Sequence, residues 1–457
     1  MHIHIVGIAG TMTAPLAVNL KKRGVYITGS DQEKIYPPIS TMLKKADISI
    51  NSIEINTNID LAIIGSSYLS FEKTKKEFNQ IKKLKIPYIS ATNYLAQNLI
   101  KDESVLIAGS FGKTTITSLL SWIFIQAKKD PNYMFGGYAK NKMNSINFSP
   151  SNWSIVEADE SINGLDRKAK FLYYPIKHLI LTSADWEHKD SYSSKIKNFQ
   201  AFKKLINRLP ENGTLLINSL GCQTKKLSLY SKAKIVSYNS PESDYFIEKI
   251  NIKSDITNLL IHTPKGPLSI QTTLIGQFNF ENILAAVSMS DQLGISFRFI
   301  QKAVFSYRGV KRRLELIDKQ KNILFFEDFA QSPNRIKSTI EALTTHFPDK
   351  LIKVFFQPHA SFTQYKSNLI GLKKAFTKAN EIVLGPIRFN PNVDKKSRAT
   401  AKDFKQEIGS KLIYIPIEKE IKAYYIHHLS SNDILIYMSS GGLSGNKIIK
   451  SIIKNIH

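Results

Sequence analysis

The segment Ile107-Ala108-Gly109-Ser110-Phe111-Gly112-Lys113-Thr114-Thr115 constrains this chain more than any other. An apolar run from Ser104 to Ala108 leads into it as a strand, and a helical pattern leaves it from Lys113 onward. A glycine-rich turn between a strand and a helix lets backbone amides face phosphate oxygens, and the helix N-terminus adds a favourable dipole. In that setting Gly109, Ser110, Gly112 and Thr115 line the phosphates of a nucleotide, Lys113 reaches the β/γ-phosphates, and the Thr114 hydroxyl serves Mg²⁺. The strict consensus asks for glycine five places before Gly112, where Ile107 stands, so the loop is a shortened G-x-x-G-K-T-T form. The alternative is a chance Gly-Lys-Thr at a helix start; the preceding strand favours phosphate binding.

The rest of the chain fits the α/β setting that the loop demands. His2 to Gly7 reads as a strand, Met12 to Lys22 as a helix and Val25 to Gly29 as a strand. Leu61 to Gly65 and Pro87 to Ser90 are further strands with the helix Glu72 to Lys83 between them, which implies a parallel, doubly wound sheet. After a pause at Tyr307-Arg308-Gly309 the pattern restarts, with strands at Ile323 to Phe326, Leu351 to Phe356, Glu381 to Leu384 and Ile434 to Met438, and a helix at Asn334 to Thr345. A length of 457 residues allows about three domains of roughly 150 residues. The boundaries fall near 100 and 308, giving domains 1–100, 101–307 and 308–457.

Composition excludes some function classes. With 42% hydrophobic and 10% aromatic residues the chain can build packed cores. It has no run of eighteen apolar residues and no charged segment ahead of a cleavable apolar one, so neither a membrane span nor secretion is expected. The single Cys222 cannot form an internal disulfide, which suits a reducing cytoplasm. The net charge of +26 invites a nucleic-acid reading, yet lysines are spread throughout (Lys21-Lys22, Lys75-Lys76, Lys203-Lys204, Lys373-Lys374) and no nucleic-acid-binding signature occurs. A positive field of this kind still helps capture anionic nucleotides and carboxylates.

Two acidic clusters follow the loop. Glu157-Ala158-Asp159-Glu160 ends the apolar strand Ser154 to Val156, and Asp185-Trp186-Glu187-His188 follows the strand Leu179 to Thr182. Carboxylates at strand ends suit Mg²⁺, which takes oxygen ligands, and strand carboxyl ends are where open α/β sheets bind ligands. His188 taken alone is equally a capping or surface residue. Near the N-terminus, Gly7-Ile8-Ala9-Gly10-Thr11-Met12 follows the first strand, and Ser30-Asp31 ends the second, where an acid commonly meets a nucleoside.

These blocks, with Gly276-Gln277-Phe278-Asn279-Phe280-Glu281-Asn282, Lys311-Arg312-Arg313-Leu314-Glu315 and Glu327-Asp328-Phe329-Ala330, occur in an order that resembles the Mur ligase family from end to end. The resemblance implies a three-domain α/β protein with a Rossmann-like N-terminal domain, a central P-loop ATPase domain and a Rossmann-like C-terminal domain. It implies an ATP-dependent ligase: a substrate carboxylate attacks the γ-phosphate to give an acyl phosphate, an amine attacks the acyl carbon, and phosphate leaves. Carried over by position, Lys113, Glu157, His188, Arg313 and Asp328 are catalytic, with Thr114, Glu157 and His188 on magnesium. Asn279, Asn282, Arg313 and Asp328 contact ATP, although helix capping is the other reading of the two asparagines. Three departures stand out: phenylalanine at 111 and 278, and Gln331-Ser332 in place of a histidine pair. Gln200 stands where some members carry a modified lysine.

The first loop resembles that of members using UDP-N-acetylmuramate, which implies UDP-sugar contacts from Gly7, Ala9, Gly10, Thr11, Met12, Ser30 and Asp31. Tyr36-Pro37-Pro38, Leu165 to Phe171 and Met438 to Gly442 resemble the branch that joins this sugar nucleotide to L-Ala-γ-D-Glu-meso-diaminopimelate. Phe356-Gln357-Pro358-His359 resembles instead the branch that adds free L-alanine. Under either reading His359 lies near the reacting amine, and the small-molecule substrates, rather than nucleic acid or membrane, are the expected partners.

Overall fold

A computed structural model describes residues 1–32, 35–51, 54–186, 191–253, 256–359, 361–387, 393–441 and 444–456. The chain divides into two compact units, one of Met1–Thr273 with Asn279–Arg308 and one of Leu274–Phe278 with Gly309–His457.

The first unit contains a five-stranded parallel sheet in the order Ser49–Ile50, Tyr26–Ser30, His2–Val6, Leu61–Ile64, Tyr88–Ser90. The chain starts in the middle of this sheet and adds strands to both sides, so a crevice opens where His2–Val6 ends. A seven-stranded sheet follows in the order Lys234–Tyr238, Thr214–Asn218, His178–Leu181, Glu103–Ala108, Trp153–Glu157, Asn132–Met134, Ile146–Asn147, antiparallel only at the last pair. Again the strand that comes first in this sheet's sequence order, Glu103–Ala108, is flanked by later ones on either side. Val105, Leu106, Ile107 and Ala108 are completely buried. A strand covered on both faces explains the uninterrupted apolar run that leads into the loop.

Sequence patterning places the helices well where one face is strongly apolar. Glu72–Lys83 buries Thr74, Phe78 and Ile81 and leaves its lysines outside. The alternation of helix and strand did not suggest a three-stranded antiparallel sheet, Phe246–Lys253, Ile256–His262 and Leu268–Thr272. Its signal is a period of two, seen in the alternating burial of Ile256–His262 and Leu268–Thr272, rather than a helix-strand alternation.

The second unit holds one six-stranded sheet in the order Glu315–Gln320, Ile323–Asp328, Asp433–Met438, Leu351–Phe356, Glu381–Leu384, Leu412–Tyr414. Only the edge pair of Glu315–Gln320 with Ile323–Asp328 is antiparallel. The carboxyl ends of Ile323–Asp328, Asp433–Met438 and Leu351–Phe356 therefore lie side by side.

Candidate active site

Three neighbouring strands of the seven-stranded sheet build the nucleotide site. Ile107 pairs with Glu157 on one side and Ala108 with Leu181 on the other. The turn after Ala108, the Glu157–Glu160 stretch and the Thr182–Asp185 stretch are thus brought to one edge by register alone. Gly109 has φ +126° and Gly112 φ +79°, both in the region that favours glycine. A Cβ on Gly109 would lie 2.6 Å from the Ser183 carbonyl oxygen, so the turn also needs glycine for closeness. Ser183 accepts a bond from the Ser110 amide at 3.0 Å, and the Thr182 hydroxyl donates to the Phe111 carbonyl at 2.8 Å. The neighbouring strand end thus clamps the loop from one side.

Helix Lys113–Gln126 starts at the turn. Lys113 Nζ lies 2.9 Å and 3.2 Å from the two oxygens of Glu160 and also donates to the Gly109 carbonyl. Both side chains are nearly buried, at 12% and 3% exposure. Burial alone lowers the pKa of the ammonium, but Glu160, helped by Glu157, reverses this and holds it above the ordinary lysine value. The charged form of the lysine is therefore favoured by the carboxylate beside it. Thr114 Oγ1 donates to Glu157 at 3.0 Å, and the Gly136 amide donates to the same carboxylate at 2.7 Å. A hydroxyl and a carboxylate oxygen side by side at a helix start are a donor set that fits Mg²⁺ completed by water and phosphate oxygens. Asp159 is tied up elsewhere: Lys170 lies 2.8 Å away and Ser161 bonds it twice. Although its burial opposes ionisation, Lys170 and Ser161 hold its carboxyl well below the ordinary range.

Of the remaining expected residues, Asn279 and Asn282 are buried on helix Gln277–Gln292. Asn282 stands well inside that helix, which removes the capping reading for it. Its side-chain oxygen would meet a Cβ on Gly112 at 2.2 Å, so it abuts the phosphate loop. His188, with Glu187, lies outside the described residues, as does Gly442. Among the described residues no cluster of three His, Cys, Asp or Glu side chains is arranged to hold a metal.

The crevice of the five-stranded sheet is organised around Ser30 and Asp31. The amides of Gly7 and Ile8 donate to the Ser30 carbonyl at 2.8 and 3.0 Å, and the Ala9 amide donates to Asp31 at 2.8 Å. Thr13 returns a hydroxyl to the Gly7 carbonyl at 2.7 Å. Gly10 and Met12 are half-buried and Thr11 is exposed. The Ser30 hydroxyl faces inward and donates to Glu77, which also contacts His4 at 3.1 Å, while His4 meets Thr28 at 2.8 Å. Ser30 therefore shapes this loop through its carbonyl, while its hydroxyl is engaged by Glu77. The buried chain Glu77–His4–Thr28 was missed at the level of sequence, because nothing local marks residues that meet across a sheet.

In the second unit Asp328 accepts from the amides of Leu314 and Ala330 at 2.5 and 2.7 Å and from Thr339 at 3.3 Å. Burial pushes its carboxyl up despite the nearby Arg313 guanidinium and these donors. Arg312 bonds Glu327 at 2.8 Å and the Ser439 carbonyl at 2.7 Å, and both Arg312 and Arg313 lie over the Phe329 ring. Gln331 accepts from the His359 amide at 3.2 Å and from Thr363 at 3.3 Å, bridging two strand ends. A Cβ on Gly441 would lie 2.4 Å from the His359 ring, so that glycine makes room for the imidazole.

A parallel sheet carrying a phosphate loop with a lysine, a threonine and a carboxylate at adjacent strand ends defines a P-loop nucleotide-dependent enzyme. The Mur ligase middle domain profile matches residues 107–290 and the Mur ligase family catalytic domain profile matches residues 2–102, together more than half the chain. The UDP-N-acetylmuramate–L-alanine ligase of Lachnoclostridium phytofermentans is 28% identical over 462 residues, covering 96% of both chains. The UDP-N-acetylmuramate–L-alanyl-γ-D-glutamyl-meso-2,6-diaminoheptandioate ligase of Haemophilus influenzae is 28% identical over 353 residues, covering 75% of this chain and 76% of its own. Among solved structures, the UDP-N-acetylmuramate–alanine ligase of Thermotoga maritima superposes with a TM-score of 0.79 at 20% identity, covering 100% of this chain and 98% of its own. The murein peptide ligase of Psychrobacter arcticus does so with 0.72 at 22% identity, covering 99% and 98%. The chain belongs to the Mur ligase family and is by that membership an ATP-dependent amide-bond ligase.

Proposed function

We propose that this enzyme joins the lactoyl carboxylate of UDP-N-acetylmuramate to the amine of L-Ala-γ-D-Glu-meso-diaminopimelate, in the cytoplasm, through an acyl phosphate. The observation that carries the ligase reading is the Lys113–Thr114–Glu157–Glu160 group at the mouth of the phosphate loop. A carboxylate is a poor electrophile until its oxygen becomes a leaving group, and phosphoryl transfer is catalysed chiefly by positioned cations. Lys113 supplies one such charge, backbone amides of the loop turn toward phosphate oxygens, and Asn282 holds the loop's far side. Thr114 and Glu157, with His188, would hold Mg²⁺, which supplies charge neutralisation on the phosphates. The domain roles follow: 1–100 for the UDP-sugar, 101–307 for ATP and 308–457 for the amine, with Arg313 and Asp328 contributing to ATP and His359 to the amine.

The peptide is preferred to free L-alanine on the strength of Tyr36-Pro37-Pro38, Leu165 to Phe171 and the Met438 strand end. Free L-alanine is the second reading, supported by relatives of that activity that align over nearly the whole chain. Competition between equal concentrations of tripeptide and L-alanine, with ATP and UDP-N-acetylmuramate, separates them. A higher kcat/KM for the tripeptide is expected; a large preference for L-alanine overturns the choice in favour of the second reading.

A further inference from the structure

Behind the acidic strand end lies a second charged feature that the phosphate loop does not use. A cavity of about 690 Å³ opens between the 161–170 hairpin and helix Lys195–Ile206. The hairpin is closed by an antiparallel bridge between Ile162 and Ala169 and by bonds from the Asn163 amide to the Lys168 carbonyl at 2.8 Å and from the Arg167 amide to the Asn163 carbonyl at 3.0 Å. Arg167 sits at φ +59°, a conformation that costs energy for a residue with a side chain, so the tip is held in a defined shape. The tip presents Arg167 and Lys168 to the cavity, and the helix presents Lys197 and Lys204, seven residues apart and so on one face.

Among the described residues, one carboxylate lines the concavity with these cations. The lining carboxylate, Asp166, is already engaged by the Tyr173 hydroxyl, the Asn163 amide group and the Lys168 backbone. Arg167, Lys197 and Lys204 have no side-chain hydrogen bond or ion pair among the described residues. Like charges facing one another repel unless an anion enters, and a concave wall concentrates their field. The cavity also touches the chemistry: Tyr192 in its wall donates to the Glu160 carbonyl at 2.5 Å, and Glu160 is the partner of Lys113.

We propose that this cavity is an anion subsite, in which Arg167, Lys168, Lys197 and Lys204 receive anionic oxygens of a substrate of the ligase reaction. The inference rests on the ligase reading above and extends it to a recognition element in the central domain. The anionic oxygens can come from the carboxylates of the peptide or from the diphosphate of the sugar nucleotide, and kinetics tells the two apart.

The test compares full-length wild type with the double variant Lys197→Gln/Lys204→Gln and the single variant Arg167→Ala. KM is measured for tripeptide, L-alanine, UDP-N-acetylmuramate and ATP at low and at about 0.5 M salt, with thermal melting as a control for folding. A KM for the tripeptide raised about fivefold or more, with ATP unaffected and a weakened salt dependence, supports the subsite with carboxylates as its ligand. A rise confined to UDP-N-acetylmuramate supports it with the diphosphate as the ligand. Unchanged KM for every substrate in folded variants overturns it. Should wild type turn over only L-alanine, the peptide reading fails by itself, and the subsite then stands or falls on the UDP-N-acetylmuramate and L-alanine measurements.

Discussion

At the scale of single residues, the Lys113–Glu160 pair makes the sharpest statement. Two nearly buried charges at 2.9 Å are worth little as a pair against water, but losing one partner strands the other. Glu160→Gln is therefore expected to destabilise the nucleotide-free protein by about 3 kcal/mol. ATP analogues should then raise its melting temperature more than that of wild type, because phosphate replaces the missing charge. An equal ligand-induced shift in both proteins would show that Glu160 does not compete with phosphate for the lysine. Lys113→Ala should lower amide formation by roughly 10³-fold or more. Because it strands Glu160 it should also cost stability comparable to that lost in Glu160→Gln, so activity is read at a temperature where melting shows the variant folded. Glu157→Ala should raise the Mg²⁺ concentration needed for half-maximal turnover, because Thr114 would lose the oxygen beside it. Turnover that titrates with Mg²⁺ as in wild type would move the metal away from this strand end.

Strands and helices carry consequences of their own. Strand His178–Leu181 lies beside the strand that feeds the phosphate loop, and His178 is buried at its start. Burial pushes the imidazole down to about 4, with Lys177 acting in the same direction and Glu103 only partly opposing. Its folded value lies below its unfolded value, so the unfolded chain binds the proton first as pH falls. Stability that is complete above about 6.5 is lost progressively toward pH 4, by up to about 3 kcal/mol. Urea unfolding between pH 7 and 4.5 should show this loss in wild type and much less of it in His178→Leu; parallel curves would clear His178 of the effect. Helices and strands buried on both faces, such as Glu103–Ala108, were legible in sequence because long apolar runs between glycine-rich turns leave few alternatives. The antiparallel strands Phe246–Lys253 to Leu268–Thr272 were not, because they break the helix-strand alternation that governs the rest.

For the molecule as a whole, a ligase couples three substrates. Under the proposed function, steady release of ADP should require UDP-N-acetylmuramate and the amine together with ATP, since the acyl phosphate forms only on a bound carboxylate and turns over only when the amine attacks it. Steady ADP release with ATP alone would make this chain a P-loop ATPase of another kind. Among the described residues no helix is long and apolar enough to cross a membrane. The phosphate loop, the acids after Val156 and the first glycine turn were written in the sequence, because backbone conformation and chemistry there depend on neighbours in the chain. Glycine at 109 and 112, followed by lysine and threonine at a helix start, admits few other uses. Only tertiary structure decided which acid does what. Nothing in Glu157-Ala158-Asp159-Glu160 says that Glu157 faces Thr114, that Asp159 is consumed by Lys170 or that Glu160 grips Lys113. Nor does sequence reveal that Ser30 turns its hydroxyl to Glu77 or that Asn282 abuts Gly112. Local sequence sets which groups are present at a strand end, while the register of neighbouring strands and the packing of distant helices set which atoms meet.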